Sequence, residues 1–122
     1  MGLETQYVLL DDVLLVRLQG ELDHHEAKKL RADWQFMLQD SKCLHVVLNM
    51  GAVSFMDSSG IGVILGRYKE IVARGGSLVV ASLHEHVEQI FNMAGLRQII
   101  HTEETEIQAC HYLGVDPSCK TR

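Results

Sequence analysis

Apolar and polar residues follow one another in blocks that predict strands and helices in turn. Two short apolar runs, 5–10 and 13–18, are separated by two aspartates at 11–12, and this break predicts an antiparallel hairpin. Across 24–39, apolar residues recur at helical spacing, directly after Asp23, which is a suitable N-cap. The chain therefore opens with a hairpin and a first helix.

The remaining blocks continue the alternation. Residues 44–48 are apolar on both faces apart from one histidine, which is typical of a central strand covered on both sides. After a predicted loop at 49–56, a helix from about 58 to 73 ends at the glycine pair 75–76. The later elements are a strand at 78–81, a helix at 85–93, a short strand at 99–100 and a final helix at 105–113.

Alternating strands and helices predict an α/β fold with a mixed, mostly parallel sheet of four or five strands and about four helices. The hairpin would form the entry into that sheet. We expect one domain over 1–115 and a flexible tail over 116–122, because Pro117 begins a short polar end.

Composition narrows the possible functions. The chain has 122 residues, 47% of them hydrophobic, which is enough for one domain with a real core. A net charge of -5 without a Lys/Arg cluster argues against direct DNA binding. The three cysteines are odd in number and lack CxxC spacing, which favours reduced thiols and a cytoplasmic location. No apolar run approaches ~18 residues, so we expect no contact with a membrane.

The polar cluster at 57–60 lies between a predicted strand and a helix, at the carboxyl end of the sheet where open α/β folds place functional groups. Asp57 is a suitable N-cap, so Ser58 falls in the first helical turn, where backbone N–H groups and the helix dipole favour an anion. A helical wheel places Ser59 about 100° away from Ser58 around the helix axis. We therefore expect Ser59 to support the strand-to-helix corner at 57–60. A serine in a first helical turn is usually only a helix-start residue, so the local sequence alone favours a plain helix start.

Two glycines inside the second helix, Gly62 and Gly66, cost it roughly 2 kcal/mol relative to alanines. For the glycines alone, close packing of the helix on the sheet is the favoured explanation. The alternative is a seam beside Ser58, where a partner's backbone approaches. A wheel also predicts one apolar stripe facing the sheet, formed by Ile61, Ile64, Leu65, Tyr68, Ile71 and Val72.

Three stretches carry a resemblance to a known family. They are GELDHH at 20–25, SFMDSSGIGVILGRYK at 54–69 and MAGL at 93–96. Together they resemble an anti-sigma factor antagonist of the STAS family, of the sporulation type, and the resemblance covers about residues 5–115.

The resemblance implies a regulator that is not an enzyme. Such a protein binds an anti-sigma factor that is also a serine kinase, with ATP or ADP on the kinase, and so frees the sigma factor. Phosphorylation ends the binding, and a PP2C-type phosphatase restores it. The phosphorylated serine of the family falls on Ser58, its acidic neighbour on Asp57 and the aspartate of its GELD corner on Asp23. Partner binding or support of the phosphosite would fall on Ser59, Gly60, Ile61 and Gly62.

No catalytic, metal or cofactor site is expected. The cluster at 56–60 lacks the first glycine of G-x-S-x-G, and no phosphate-binding lysine motif occurs. Seven histidines are present, but His25-Glu26 is followed by Lys29 where HExxH requires histidine. For His24 and His25, partner contact and simple solvation both stay open.

Two other classes of protein are alternatives. A receiver-like domain needs an acidic pair after its first strand and an aspartate acceptor, but Asp11 and Asp12 fall in the hairpin turn and the acceptor-like position is Asn49. A small-ligand STAS module, like those attached to transporters, would bind its ligand without a kinase.

Overall fold

The computed structural model describes residues 2–39 and 42–117. One five-stranded sheet has the strand order β1-β2-β3-β4-β5. The strands are β1 Leu3–Leu10, β2 Val13–Leu22, β3 His45–Met56, β4 Leu78–Ala81 and β5 His101–Glu103. The helices are α1 His24–Met37, α2 Ser58–Ala73, α3 Glu85–Met93 and α4 Glu106–Tyr112, with a 3-10 turn at Leu96–Gln98.

The mixed sheet and its entry hairpin are confirmed. β1 pairs antiparallel with β2, and every later neighbouring pair is parallel. Asp11 and Asp12 form the turn, and Asp11 adopts a left-handed φ of 56°, a conformation that aspartate tolerates better than most residues. Of the predicted tail 116–122, residues 118–122 lie outside the described part of the chain, and so does Cys119.

The sheet separates two hydrophobic cores. The larger core joins α1, α2 and α3 to one face of the sheet through side chains such as Leu30, Trp34, Ile64 and Phe91. The smaller core lies on the opposite face, where Ala109 and Cys110 of α4 pack on the sheet. Each central strand alternates side chains between the two cores, which explains why residues 44–48 are apolar on both faces.

Two segments were assigned to the wrong kind of element, and β2 extends to Leu22, beyond the predicted run 13–18. Residues 49–56 are not a loop, because β3 continues to Met56 and pairs with β2 along that length. Shifts in the β2–β3 register between Arg17 and Gln19, and again after Gly20, break the alternation that would have revealed the strand. The predicted strand at 99–100 is also wrong: this segment closes the 3-10 turn, and β5 begins at His101.

Candidate functional site

The two central strands end together, and this places two helix starts side by side. Leu22, the last residue of β2, pairs with Met56, the last residue of β3. Asp23 and Asp57 follow directly, and the Asp57 N–H donates to the Leu22 carbonyl at 3.4 Å. α1 and α2 therefore begin next to each other at the carboxyl edge of the parallel strands.

Both aspartates cap the helix that follows them, as the sequence predicts. The Asp23 carboxylate accepts from the Glu26 N–H at 2.9 Å, and the Asp57 carboxylate accepts from the Ser59 N–H at 2.8 Å. Each cap satisfies one of the N–H groups left without a partner at a helix start. The corner is thus held by local hydrogen bonds on both helices.

The two serines of the corner have different surroundings. Ser58 is the first residue of α2 and is exposed, and nothing in residues 2–39 or 42–117 hydrogen-bonds to its hydroxyl. Ser59 is half-buried, and its hydroxyl lies 3.2 Å from Nδ1 of His24 on α1. From the sequence, His24 could either contact a partner or be solvated. Its contact with α2 could not be predicted, because it depends on the register of β2 against β3.

Close packing of α2 on the sheet occurs at Gly60, whereas the sequence analysis considered it for Gly62 and Gly66. A Cβ on Gly60 would lie 2.6 Å from Cγ of Met56 and 3.0 Å from the Leu22 side chain. The first turn of α2 therefore rests directly on the ends of β2 and β3. The sequence showed a glycine directly after the serine pair, but it did not show the contact that requires this glycine.

Close packing does not explain Gly62 and Gly66, so that interpretation was wrong. A Cβ at either glycine would have no atom within 4 Å. The predicted stripe was also partly wrong: the buried positions of α2 are Gly60, Val63, Ile64, Arg67 and Ile71. Ile61, Leu65 and Tyr68 are only partly buried, and Val72 is 47% exposed.

One surface of α2 is consequently open around Ser58. The helical period places Ser58, Ile61, Gly62, Leu65, Gly66 and Lys69 on one side, and we call these residues the Ser58 face. Next to the corner in sequence, Phe55 is 39% exposed and stacks on His86 of α3, with ring centroids 6.2 Å apart. The Ser58 face combines small, apolar and hydroxyl groups with the exposed, positively charged Lys69.

A second polar cluster, which sequence reasoning did not identify, ties α4 to the sheet. Arg17 of β2 donates twice to the Glu106 carboxylate, at 2.9 and 2.8 Å, and the Asn49 amide donates to it at 2.7 Å. These hydrogen bonds, the Arg17 bond foremost, hold the pKa of Glu106 below its usual range. Burial raises the pKa of the nearby Cys110 thiol to about 11, so it remains protonated.

A shallow cavity of about 430 Å³ adjoins that cluster on the α4 side of the sheet. It is lined mostly by polar residues, among them Gln6, Arg17, Gln19, Asn49 and Ser82. The receiver-like alternative needs an acidic pocket that includes the position of Asn49. Asn49 instead donates a hydrogen bond to Glu106, and Asp11 and Asp12 lie in the hairpin turn, so these residues do not form such a pocket.

Two further features of the described residues bear on function. Within 2–39 and 42–117, no group of three or more His, Cys, Asp or Glu side chains is arranged to hold a metal ion. Over the same residues, no helix combines the length and apolarity needed to cross a bilayer.

The fold and the corner match a known family. Residues 5–109 match the STAS domain, and the chain belongs to the STAS domain family. It is similar to the anti-sigma F factor antagonist of Paenibacillus polymyxa, with 43% identity over 115 residues, or 94% of this chain and 98% of the relative.

Solved structures agree with this assignment. The unphosphorylated form of the anti-sigma factor antagonist SpoIIAA superposes with a TM-score of 0.74 and 27% identity, covering 92% of this chain and 100% of that one. The phosphorylated form of the Bacillus cell fate determinant SpoIIAA gives a TM-score of 0.73 and 29% identity, with coverage of 90% and 99%. The likeness therefore extends over nearly the whole of both chains.

Proposed function

We propose that this protein is an anti-sigma factor antagonist whose unphosphorylated form binds an anti-sigma factor and frees the sigma factor. The anti-sigma factor is a serine kinase that carries ATP or ADP, and it phosphorylates Ser58 to end the binding. A PP2C-type phosphatase removes the phosphate. The observation that best supports this proposal is the exposed Ser58 hydroxyl at the start of α2, which has no hydrogen-bond partner within residues 2–39 and 42–117. The chain is also 43% identical to an anti-sigma F factor antagonist.

The start of α2 suits a phosphate. Ser58 is the first residue of a 16-residue helix, where the positive end of the helix dipole stabilises negative charge. A phosphate adds about -1.5 to -2 charges at pH 7. Placed there, it is tolerated by the helix, so the modified protein keeps its fold. A relative solved in its phosphorylated form has the same architecture.

The Ser58 face supplies the docking surface. Gly62 and Gly66 face open space, so a partner's backbone can approach α2 more closely than side chains would permit. Ile61 and Leu65 are partly buried and offer apolar area beside the glycines. Ser58 lies at the end of this surface, and a partner that covers the surface also covers the hydroxyl.

Phosphorylation then switches the surface by local blocking. A dianion on Ser58 must be desolvated or displaced when the partner covers it, and Asp57, which precedes it, carries a like charge. A penalty of a few kcal/mol suffices to end binding, because about 1.4 kcal/mol changes an affinity tenfold. Neither helix has to move.

The direct test is to incubate the protein with its anti-sigma factor kinase and ATP and to map the phosphate by tandem mass spectrometry. We expect the phosphate predominantly on Ser58, and little or none on the Ser58→Ala variant. Phosphate mainly on another residue of the wild type, or none at all, overturns the proposal.

The cavity of about 430 Å³ on the α4 side supports a second candidate, a small-ligand module. Its polar lining, including Gln6, Gln19 and Arg17, would favour a small polar ligand. A ligand that raises the melting temperature of the isolated protein, with no kinase present, would favour this candidate over the first.

A further inference from the structure

One side-chain contact joins the starts of the two helices at the corner. Nδ1 of His24, the first residue of α1, lies 3.2 Å from the hydroxyl oxygen of Ser59, the second residue of α2. His24 itself is exposed. The contact exists because β2 and β3 end in register and bring α1 and α2 together.

This contact distinguishes two chemically identical neighbours. The Ser59 hydroxyl is engaged by His24, and the Ser59 N–H is engaged by the Asp57 carboxylate at 2.8 Å. The Ser58 hydroxyl has no such partner among the described residues. A kinase that reaches the corner therefore meets one free hydroxyl and one that is already hydrogen-bonded.

We propose that His24 is a positioning residue that directs phosphorylation to Ser58 by holding the Ser59 hydroxyl. This inference rests on the proposed function, because it concerns the choice of acceptor at the same corner. In the reaction, a bond forms between the acceptor oxygen and the γ-phosphorus of ATP on the kinase. The bond from that phosphorus to the β–γ bridging oxygen breaks, ADP leaves, and the hydroxyl proton passes to a base of the kinase.

The hydrogen bond fixes the orientation of the Ser59 hydroxyl in either state of the imidazole. When the ring hydrogen is on Nε2, the Ser59 hydroxyl donates to Nδ1, so its proton is directed to α1 and not to a base of the kinase. When Nδ1 carries a hydrogen, it donates to the Ser59 oxygen and occupies one of its two lone pairs, which restricts how the hydroxyl can turn toward a phosphate. Attack by Ser59 requires the bond to break, and the net strength of one hydrogen bond corresponds to a preference of roughly three- to tenfold.

The test uses His24→Ala, with His25→Ala as the matched control, because His25 is the adjacent exposed histidine and has no hydrogen-bond partner among the described residues. Each variant is phosphorylated by the kinase with ATP, and the ratio of Ser59 to Ser58 phosphate is measured by tandem mass spectrometry. We expect His24→Ala to raise this ratio roughly three- to tenfold and His25→Ala to leave it unchanged. Circular dichroism verifies that both variants are folded.

Two conservative variants separate positioning from general structure. The amide of His24→Asn can occupy the place of Nδ1 and should restore the wild-type ratio. The longer His24→Gln side chain, which imitates Nε2, should not restore it. If His24 had only a structural role, the His24→Asn and His24→Gln variants would not differ in the ratio of Ser59 to Ser58 phosphate.

The outcomes separate this inference from the proposed function. If the wild type and His24→Ala are both modified on Ser58 alone, exposure by itself selects the acceptor and the role of His24 is overturned. If the wild type receives no phosphate on Ser58, the proposed function fails and this inference fails with it.

Discussion

At Gly60, the absence of a single methyl group determines how α2 meets the sheet. A Cβ there would lie 2.6 Å from Met56, whereas a Cβ on Gly62, only two residues later, would meet nothing within 4 Å. The two glycines therefore occur in the same helix for different reasons. Gly60 is required by the fold, and Gly62 is left to be explained by what approaches from outside.

Alanine substitutions at these two positions should change stability in opposite directions. Gly60→Ala overpacks the contact with Met56 and Leu22 and should lower the free energy of unfolding by about 1–3 kcal/mol. Gly62→Ala should raise it by up to about 1 kcal/mol, because alanine is the better helix former and has room. Urea denaturation measures both, and equal effects would contradict the packing described here.

The same variant tests the Ser58 face. Gly62→Ala should weaken binding to the anti-sigma factor severalfold although it stabilises the free protein, because the methyl group blocks the approach of the partner's backbone. Titration calorimetry of the variant against the wild type gives the comparison. Unchanged affinity would mean that the partner does not approach over Gly62.

At the level of elements, the sequence predicted every helix and most strands, because apolar periodicity and capping residues are local signals. It also identified both N-caps, Asp23 and Asp57, and the exposed Ser58. It failed where pairing is long-range: the second half of β3 is irregular in register, and the polar β5 borders only one neighbour. The contact of His24 with Ser59 could not be predicted for the same reason, since it depends on that register.

α4 provides an element-scale test, because Glu106 at its first turn is bound by Arg17 and Asn49. The pKa of Glu106 is lowered in the folded state by those bonds, so its contribution to stability is present above the unfolded-state pKa and is lost as pH falls through the folded one. Glu106→Gln should therefore cost about 1 kcal/mol near pH 7, allowing for solvent screening. The difference from wild type should shrink below about pH 4.

Urea unfolding at several pH values tests this expectation, with Glu104→Gln as the control. Glu104 is exposed and its carboxylate has no hydrogen-bond or ion-pair partner among the described residues, so its substitution should leave stability unchanged at every pH. A Glu106→Gln difference that stays constant down to pH 3 would show that its charge is not what holds α4.

For the whole molecule, the proposed phosphosite lies apart from the groups that stabilise the fold. The two cores lie on either face of the sheet, whereas Ser58 is exposed and Gly62 and Gly66 of the Ser58 face meet open space. A phosphate at the start of α2 therefore alters charge on the surface without disturbing either core. The protein acts in this account as one rigid body whose binding surface is closed by a removable group.

The dissociation constant of the kinase complex, measured by titration calorimetry with the unmodified and the Ser58-phosphorylated protein against the ADP-loaded kinase, tests this claim most directly. We predict that phosphorylation weakens binding by at least about a hundredfold, the effect of a penalty near 3 kcal/mol. Equal dissociation constants for the two forms would contradict the account.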